Sequence, residues 1–258
     1  MPPAFSIGDA LSWAWNKFTQ NAAALIVPTL AYFVGIGILY GINIAANVAL
    51  SENTTTTYTD PYSGTTSSHV VSTPSPAALI VGLVVDVLLV AVAWYMQAAF
   101  VSGTLDIADG KPVAIGTFFK PRNLGGFILT LLLVSIGVFL GLVLCIVPGL
   151  IFGFLAMFAA QYVVDRSLSP IDAIKASIAT VRANIVPGLL YVVVAIAAVA
   201  VNFVTCGFGT LVTAPVLALV LTYTYRKLTG GQIAEVGQPG FPQGPPPGIP
   251  PGPPPQYS

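Results

Sequence analysis

Asp86 is the residue of this sequence with the clearest potential for chemistry, because it is an acid placed inside the apolar segment 77–101. A charged carboxyl group at the centre of a bilayer costs about 3 kcal/mol, so such groups usually have a function or a partner. Asp86 could relay a proton or bind a cation, as in a small transporter or channel. The alternative is a neutral acid hydrogen-bonded to another helix, with four candidate partners: Asn43, Asn47, Gln161 and Asn202.

The two cysteines offer a second kind of chemistry. Cys145 and Cys206 each lie near the end of an apolar segment that, in the topology derived below, faces away from the cytoplasm. Disulfide bonds persist in that compartment, so a bridge between them is one interpretation, and two buried free thiols are the other. His69 is the only histidine and has no His or Cys near it, so we predict no metal site and no cofactor.

No arrangement of residues typical of an enzyme appears in the chain. A Ser/His/Asp set, a Cys/His pair, a phosphate-binding glycine loop and a pair of catalytic acids are all missing from the sequence. Nine Lys or Arg residues balance nine Asp or Glu residues among 258, so no net charge favours nucleic acid. We therefore predict a non-catalytic protein that does not bind nucleic acid.

The composition is typical of a polytopic membrane protein of the all-α class. Charged residues make up 7% of the chain, against roughly 25% in soluble proteins. The segments 123–164 and 183–225 contain no charge over 42 and 43 residues. As a single helix, each would be about 63 Å long, twice the bilayer core, so each predicts two crossings. Breaks are expected at Val147-Pro148-Gly149 and at Cys206-Gly207-Phe208-Gly209.

With two earlier segments, the sequence predicts six transmembrane helices. Their bounds are 24–46, 77–101, 124–147, 150–164, 185–205 and 210–225. This count places all nine Lys and Arg residues on one side of the membrane and none in the opposite loops. Because such residues accumulate on the cytoplasmic side, both termini are predicted to be cytoplasmic. Residues 1–228 form the predicted membrane domain.

The chain also shows three repeats, each an interfacial helix followed by a transmembrane hairpin. Ser6 and Asp9 match Ser169 and Asp172, a spacing typical of a helix N-cap. Apolar residues spaced by four and then three positions follow both motifs, which predicts helices that lie in the membrane interface. These apolar residues are Leu11, Trp15 and Phe18 in the first repeat and Ile174, Ile178 and Val181 in the third.

Aromatic and cationic side chains are the predicted anchors of these interfacial helices. Aromatic rings favour the level of the headgroups, and cations can meet anionic lipids there. The predicted anchors are Trp13, Trp15, Phe18, Arg166, Lys175 and Arg182.

Two segments outside the helices are predicted to lack a packed core. The outer loop 51–76 has 14 Ser or Thr among 26 residues, so we expect a mobile polar loop that could carry O-linked sugars. The tail 229–258 is rich in proline and glycine and is predicted to be disordered polyproline II. Within it, Pro254, Pro255 and Tyr257 fit a motif that WW domains bind; a spacer or a weak multivalent contact is the alternative.

Two motifs resemble a known family. Residues 144–150 (Leu-Cys-Ile-Val-Pro-Gly-Leu) and 165–177 (beginning Asp-Arg-Ser-Leu-Ser-Pro) are similar to the core of a bacterial six-span membrane-protein family. That family also occurs fused to glycerophosphodiester phosphodiesterases, but the motifs are structural and imply no enzymatic activity. With its tail, the whole chain resembles the actinobacterial proline- and glycine-rich transmembrane proteins. Some proline-rich membrane proteins of actinobacteria accompany the respiratory supercomplex, so the resemblance implies an accessory role as one option.

These observations favour a non-catalytic, multi-pass protein of the bacterial cell membrane that acts as an accessory or scaffold subunit. Its partners would be the lipid bilayer and other membrane proteins of a respiratory or envelope complex. A small transporter or channel that uses Asp86 is the alternative, and lipid binding by the interfacial helices is a third hypothesis.

Overall fold

The computed structural model describes residues 5–235 and is mostly helical. In chain order the helices are α1 (Ile7–Gln20), α2 (Ala22–Leu50), α3 (Pro76–Ala108), α4 (Leu124–Leu144), α5 (Ile146–Leu155), α6 (Ala159–Arg166), α7 (Pro170–Ala183), α8 (Ile185–Val204) and α9 (Thr210–Thr229). A short 3₁₀ helix, Ile115–Phe119, precedes α4. Two strands, β1 (Ser51–Thr59) and β2 (Thr66–Pro74), join α2 to α3 and are an addition to the predicted all-α class.

Within residues 5–235, five segments are long and apolar enough to cross a membrane, so the chain is a multi-pass membrane protein. They are Ala22–Leu50, Pro76–Ala108, Leu124–Leu144, Ile146–Arg166 (which holds α5 and α6) and Ile185–Val204. α9, the expected sixth crossing, is not among them, because its last turns carry hydroxyl and charged side chains. Those side chains, from Thr222 to Arg226, are buried by protein, so they do not depend on water to solvate them.

The connection between α4 and α5 is tighter than the sequence suggested. Val147-Pro148-Gly149 lies inside α5, and the prediction of a break there is wrong. Pro148 is tolerated because the amides of a first helical turn have no helical partner. Cys145 alone separates the two helices, in an extended conformation with φ −172° and ψ 146°. The helices pack so closely that a Cβ atom on Gly141 would lie 2.6 Å from the Cα atom of Gly149.

The helices α1 and α7 begin and end with the same local geometry. The hydroxyls of Ser6 and Ser169 each accept a hydrogen bond at 3.3 Å from the amide three residues later, which confirms the predicted N-caps. At the other end, the side-chain amide of Asn21 donates to the carbonyl four residues earlier at 2.9 Å, and Asn184 does the same at 3.0 Å. Each asparagine thus ends a short amphipathic helix and leads directly into a long apolar one.

The predicted apolar face of α1 is divided between the core, which holds Phe18, and the surface, where Leu11 and Trp15 lie. Trp13 and Phe18 are only 4% and 5% exposed and belong to the core, so the prediction that they are interfacial anchors is wrong. The Trp13 ring packs against Tyr223 of α9, with ring centroids 5.4 Å apart. Trp15 is 54% exposed and, with the exposed Leu11, forms an outward apolar stripe. α1 carries apolar residues on two faces, and packing against α9 selects the Trp13 face as the inner one.

Residues 51–74 form a β-hairpin within the predicted outer loop, and the mobility of this segment stays a prediction. β1 and β2 pair antiparallel along their whole length. β-branched threonines favour extended backbone, and the Thr56 hydroxyl donates across the pair to the His69 carbonyl at 3.2 Å. At the turn, Asp60 accepts a hydrogen bond from the Tyr62 amide at 2.8 Å. The hairpin buries almost nothing, which agrees with the prediction that it has no packed core.

The hydrophobic core lies at one end of the bundle, the end where α1 packs, which we call the α1 end. α3 shows this most clearly: from Ala98 to Leu105 every residue is buried, whereas few residues before Ala98 are. Away from the α1 end, long apolar side chains are exposed along every spanning helix. A surface of this kind is suited to contact with lipid chains, since these are as apolar as the side chains themselves.

Candidate functional site

Asp86 lies on the exposed face of α3, where it accepts a hydrogen bond from α2. Asn43 Nδ2 donates to Asp86 Oδ1 at 3.1 Å, and Asn47 Nδ2 donates to Asn43 Oδ1 at 2.8 Å. We call these three side chains the polar row. Asn43 is thereby confirmed as a partner of Asp86, and Asn47 joins through it. Asn202 instead accepts a hydrogen bond from Thr213 at 2.9 Å.

A partly open cavity of about 560 Å³ lies between α3, α4, the α5–α6 segment, α8 and α9. Small-molecule sites in proteins typically measure about 300–1,000 Å³. Aromatic side chains of Trp94, Phe100 and Tyr191 contribute to a wall that is mostly apolar. Gln97 and Gln161 are the amide side chains of the wall. Among the residues that line the cavity there is no Asp, Glu, Lys or Arg, and the polar row lies outside it.

The α5–α6 segment is interrupted at residues 156–158, beside this cavity. Ser177 of α7 replaces the missing helical contacts. The Phe158 amide donates to Ser177 Oγ at 3.0 Å, and the same hydroxyl donates to the Leu155 carbonyl at 2.8 Å. Irregular backbone at membrane depth is tolerated where protein groups take over its hydrogen bonds or where it borders a cavity, and both conditions hold here. Met157, within the break, lines the cavity.

Gln161 is the most buried polar side chain of the cavity wall. It is 2% exposed, and its Oε1 atom has no hydrogen-bond partner among the described residues. An unpaired polar atom in such a place costs about 1–3 kcal/mol, so it calls for an explanation. The sequence suggested Gln161 as a partner for Asp86, which is wrong, because α6 places it at the cavity.

A second polar centre, the charge cluster, lies where α3, α6 and α9 end. Arg226 Nη2 is 2.6 Å from Asp109 Oδ1 and 2.9 Å from Asp165 Oδ1. The Tyr225 hydroxyl donates to the other oxygen of Asp165 at 2.8 Å. Lys111 Nζ lies 3.0 Å from Asp109, and this hydrogen bond raises the pKa of Lys111 above its ordinary value. The charge cluster therefore ties three helix ends together at the α1 end.

Residues 231–235, which follow α9, are also held at the α1 end. Trp13 Nε1 donates to the Ala234 carbonyl at 2.8 Å, and Lys17 Nζ donates to the Glu235 carbonyl at 2.8 Å. The Ala234 amide donates to the carbonyl of the last residue of α3 at 2.8 Å. Burial lowers the pKa of Lys17 below its ordinary value. The chain thus stays attached to the bundle beyond residue 228, the boundary drawn from the sequence.

The two cysteines lie apart from the cavity and from the charge cluster. Cys145 and Cys206 are free thiols on the exposed surface, so the structure contains neither the bridge nor the buried thiols considered from the sequence. Cys206 lies in the turn between α8 and α9, where the sequence predicted a break. The tail residues Pro254, Pro255 and Tyr257 lie outside the described part of the chain.

The cationic anchors are placed at the surface of α6 and α7. Arg166, Lys175 and Arg182 are exposed, and the Arg166 guanidinium lies 5.3 Å from the centre of the Tyr162 ring. Their contact with lipid headgroups stays a prediction. The buried face of α7 consists of Ala173, Ser177 and Val181, so only the last of its three predicted apolar positions is buried.

Sequence reasoning missed the cavity and the charge cluster. The available signal for the cavity was a pair of amides, Gln97 and Gln161, inside predicted membrane segments. The signal for the charge cluster was the presence of acids and a cation, Asp109, Asp165 and Arg226, at the same ends of three hairpins. Neither signal specifies which helices are neighbours, so neither was sufficient.

Comparison with known proteins relates the chain to mycobacterial proteins. A protein of Mycobacterium tuberculosis strain H37Rv, described as uncharacterized, is 51% identical over 245 residues, which cover 93% of this chain and 75% of the relative. Relatives from Mycobacterium bovis and from M. tuberculosis strain CDC 1551 match with the same identity and coverage. This chain belongs to the family of these mycobacterial proteins. No protein-family model and no solved structure matches this member of the family.

Proposed function

We propose that this protein is a non-catalytic, six-span protein of the bacterial cell membrane that acts as an accessory or scaffold subunit of a membrane complex. In this proposal α9 is the sixth crossing, and three repeats of an interfacial helix and a hairpin build the bundle. A respiratory or envelope complex is the expected setting. The relatives come from mycobacteria, which supports a bacterial membrane as the setting of this proposal.

The meeting of three helix ends in the charge cluster supports an even number of crossings. α3, α6 and α9 all end there, each after a helix that runs the other way. Residues 231–235 contact α1 at the same end, so the two ends of the described chain share one side. The β-hairpin contains no Lys or Arg. By the positive-inside rule, the α1 end is then cytoplasmic.

The polar row is the observation that carries the accessory role. Asp86 follows the start of α3 by ten residues, or about 15 Å along the helix, which is membrane depth. It lies on the outer surface of the α2–α3 hairpin and away from the core. Lipid chains offer no hydrogen bonds, and a charged carboxyl group exposed to them costs about 3 kcal/mol. A polar group on a neighbouring transmembrane helix would satisfy Asp86, and such contacts hold membrane subunits together.

Site-specific photocrosslinking in native membranes tests this role. Leu83 and Val87 are 66% and 61% exposed on the same helix as the polar row, and Val143 of α4 is a matched control at 68%. A photoreactive residue at Leu83 or Val87 should give a discrete protein adduct, and one at Val143 should give lipid adducts. Asp86→Leu should abolish the protein adduct. Lipid adducts alone at all three positions would refute the accessory role.

The proline- and glycine-rich tail is proposed as a further contact of the same scaffold. Deleting residues 239–258 keeps residues 231–235, which are bonded to α1, and so leaves the bundle intact. We expect fewer co-purifying proteins in a mild-detergent pull-down from cells with the shortened chain. An unchanged set of proteins would remove the tail from the proposal while leaving the polar row untouched.

A further inference from the structure

The cavity between α3, α4, the α5–α6 segment, α8 and α9 has the size and the surroundings of a ligand site, and the accessory role does not use it. Its volume of about 560 Å³ lies between several helices and the interrupted α5–α6 segment, and it is partly open to the surroundings. Gly153, Ala159 and Ala160, on either side of the interruption, line it. Small residues at these positions keep open a space that larger side chains would fill.

The chemistry of the wall selects an uncharged and mainly apolar ligand. No lining residue carries a charge at neutral pH, so a phosphate, carboxylate or ammonium group would enter without a counter-ion. Trp94 and Phe100 offer flat apolar surfaces instead. A molecule that reaches this cavity from a bilayer is one that already dissolves in lipid.

Gln161 adds a specific requirement to this apolar wall. Its buried Oε1 atom accepts no hydrogen bond from any described residue. The last torsion of a glutamine side chain has a broad preference, so a half-turn that exchanges the oxygen with the amide nitrogen presents the oxygen to the cavity. An acceptor in that position matches a ligand with a hydroxyl group, and a hydrocarbon without a donor leaves the oxygen unpaired.

We infer that the cavity binds a neutral lipid alcohol, whose hydroxyl donates to Gln161 Oε1 and whose hydrocarbon body lies against the apolar wall. The inference is independent of the accessory role, because the polar row lies outside the cavity. It assigns to the interruption in α5–α6 the task of making room for the ligand.

A pair of photoreactive probes tests the inference on the full-length protein in nanodiscs of phosphatidylcholine. This lipid has no hydroxyl or N–H group that could donate to Gln161. One probe is a photoreactive dodecanol, and the other is its methyl ether, which has the same body but no donor. We expect saturable labelling of the α3 segment 93–101 and of the α9 segment 214–221, which line the cavity. The alcohol should bind about tenfold more tightly than the ether, as expected for one buried hydrogen bond.

Two variants test which amide accepts the hydrogen bond, and a third tests whether the probes bind in the cavity. Gln161→Leu should bind the alcohol and the ether equally, whereas Gln97→Leu, the control for the other amide of the wall, should keep the preference for the alcohol. Ala218→Leu fills the cavity from α9 and should weaken both probes. Thermal unfolding of each variant establishes that it is folded before it is labelled.

Each of the following results would overturn the inference or the assignment to Gln161. Equal binding of the two probes by the unchanged protein overturns the inference, and this comparison needs no variant to fold. Labelling that excess unlabelled dodecanol does not displace, or that falls on the outer lipid-facing residues, also overturns it. A preference lost in Gln97→Leu but kept in Gln161→Leu overturns the assignment to Gln161.

Discussion

Replacing Arg226 by methionine should lower the free energy of unfolding by about 2–3 kcal/mol. Methionine keeps an unbranched apolar stem in place of that of arginine and ends before the charged group, so the substitution removes the guanidinium. The side chain of Arg226 is 10% exposed, and those of its two partners, Asp109 and Asp165, are 23% and 15% exposed. The substitution therefore leaves two acids that are largely buried without their main counter-ion.

The magnitude follows from what remains around each acid. Breaking a fully buried ion pair on one side costs about 3–5 kcal/mol. Here Asp109 keeps the ammonium of Lys111 at 3.0 Å, and Asp165 keeps the hydroxyl of Tyr225 at 2.8 Å. Both acids also retain some access to solvent. These remaining contacts reduce the expected loss of unfolding free energy from about 3–5 kcal/mol to about 2–3 kcal/mol.

Equilibrium unfolding in mixed detergent micelles, followed by tryptophan fluorescence, measures this loss. Lys175→Met is the matched control, since Lys175 is exposed and forms no salt bridge among the described residues; it should change stability by less than about 0.5 kcal/mol. The double variant Arg226→Met with Asp165→Asn should lose less than the sum of the two single losses, because they share one interaction. A loss for Arg226→Met no larger than that of the control would show that the charge cluster does not hold the helix ends together.

Two further predictions concern the opposite end of the molecule. Gly141→Ala should cost about 1–3 kcal/mol of unfolding free energy, because its Cβ atom would lie 2.6 Å from Gly149 Cα. The control is Gly35→Ala, which should be neutral or stabilising because no atom lies within 4 Å of the added Cβ atom. Equal effects of the two substitutions would contradict the tight α4–α5 turn. The hydrogen bond from the Tyr62 amide holds the pKa of Asp60 below its ordinary value of 3.8, so the acid stabilises the β-turn fully above that pH and less as the pH falls through the lowered pKa. The protection of the Tyr62 amide, which is its exchange rate relative to the intrinsic rate at the same pH, should therefore fall only below about pH 4 in the unchanged protein. In Asp60→Ala this protection should be low already at neutral pH, and strong protection in that variant would contradict the role of Asp60.

Local structure was predicted well wherever neighbouring residues determine it. Ser6 and Ser169 are N-caps as expected, because a hydroxyl three residues before a free amide reaches it whatever the rest of the fold does. The turn at Cys206–Gly209 also occurs where it was predicted. The break predicted at Val147-Pro148-Gly149 is wrong, because a proline in a first helical turn and a proline in a loop look alike in the sequence.

Partners across the bundle were predicted less well. Asn43 was one of four amides suggested for Asp86, and only the packing of α2 against α3 selected it. Trp13 and Phe18 were assigned to the lipid interface because aromatic residues are common there. In fact α9 covers them, and periodicity could not indicate which of two apolar faces of α1 would be covered.

By itself, the sequence determined that the chain crosses a membrane several times, because a charge content of 7% leaves too few polar groups to coat a soluble domain of this size. It also determined where the amphipathic helices begin. Only the tertiary structure decided that Gln161 borders a cavity between the helices and that Arg226 meets Asp109 and Asp165. The physical reason is separation along the chain. The apolar residues of one segment are enough to favour its transfer out of water, but a cavity or an ion cluster forms only when segments that are far apart in the chain become neighbours.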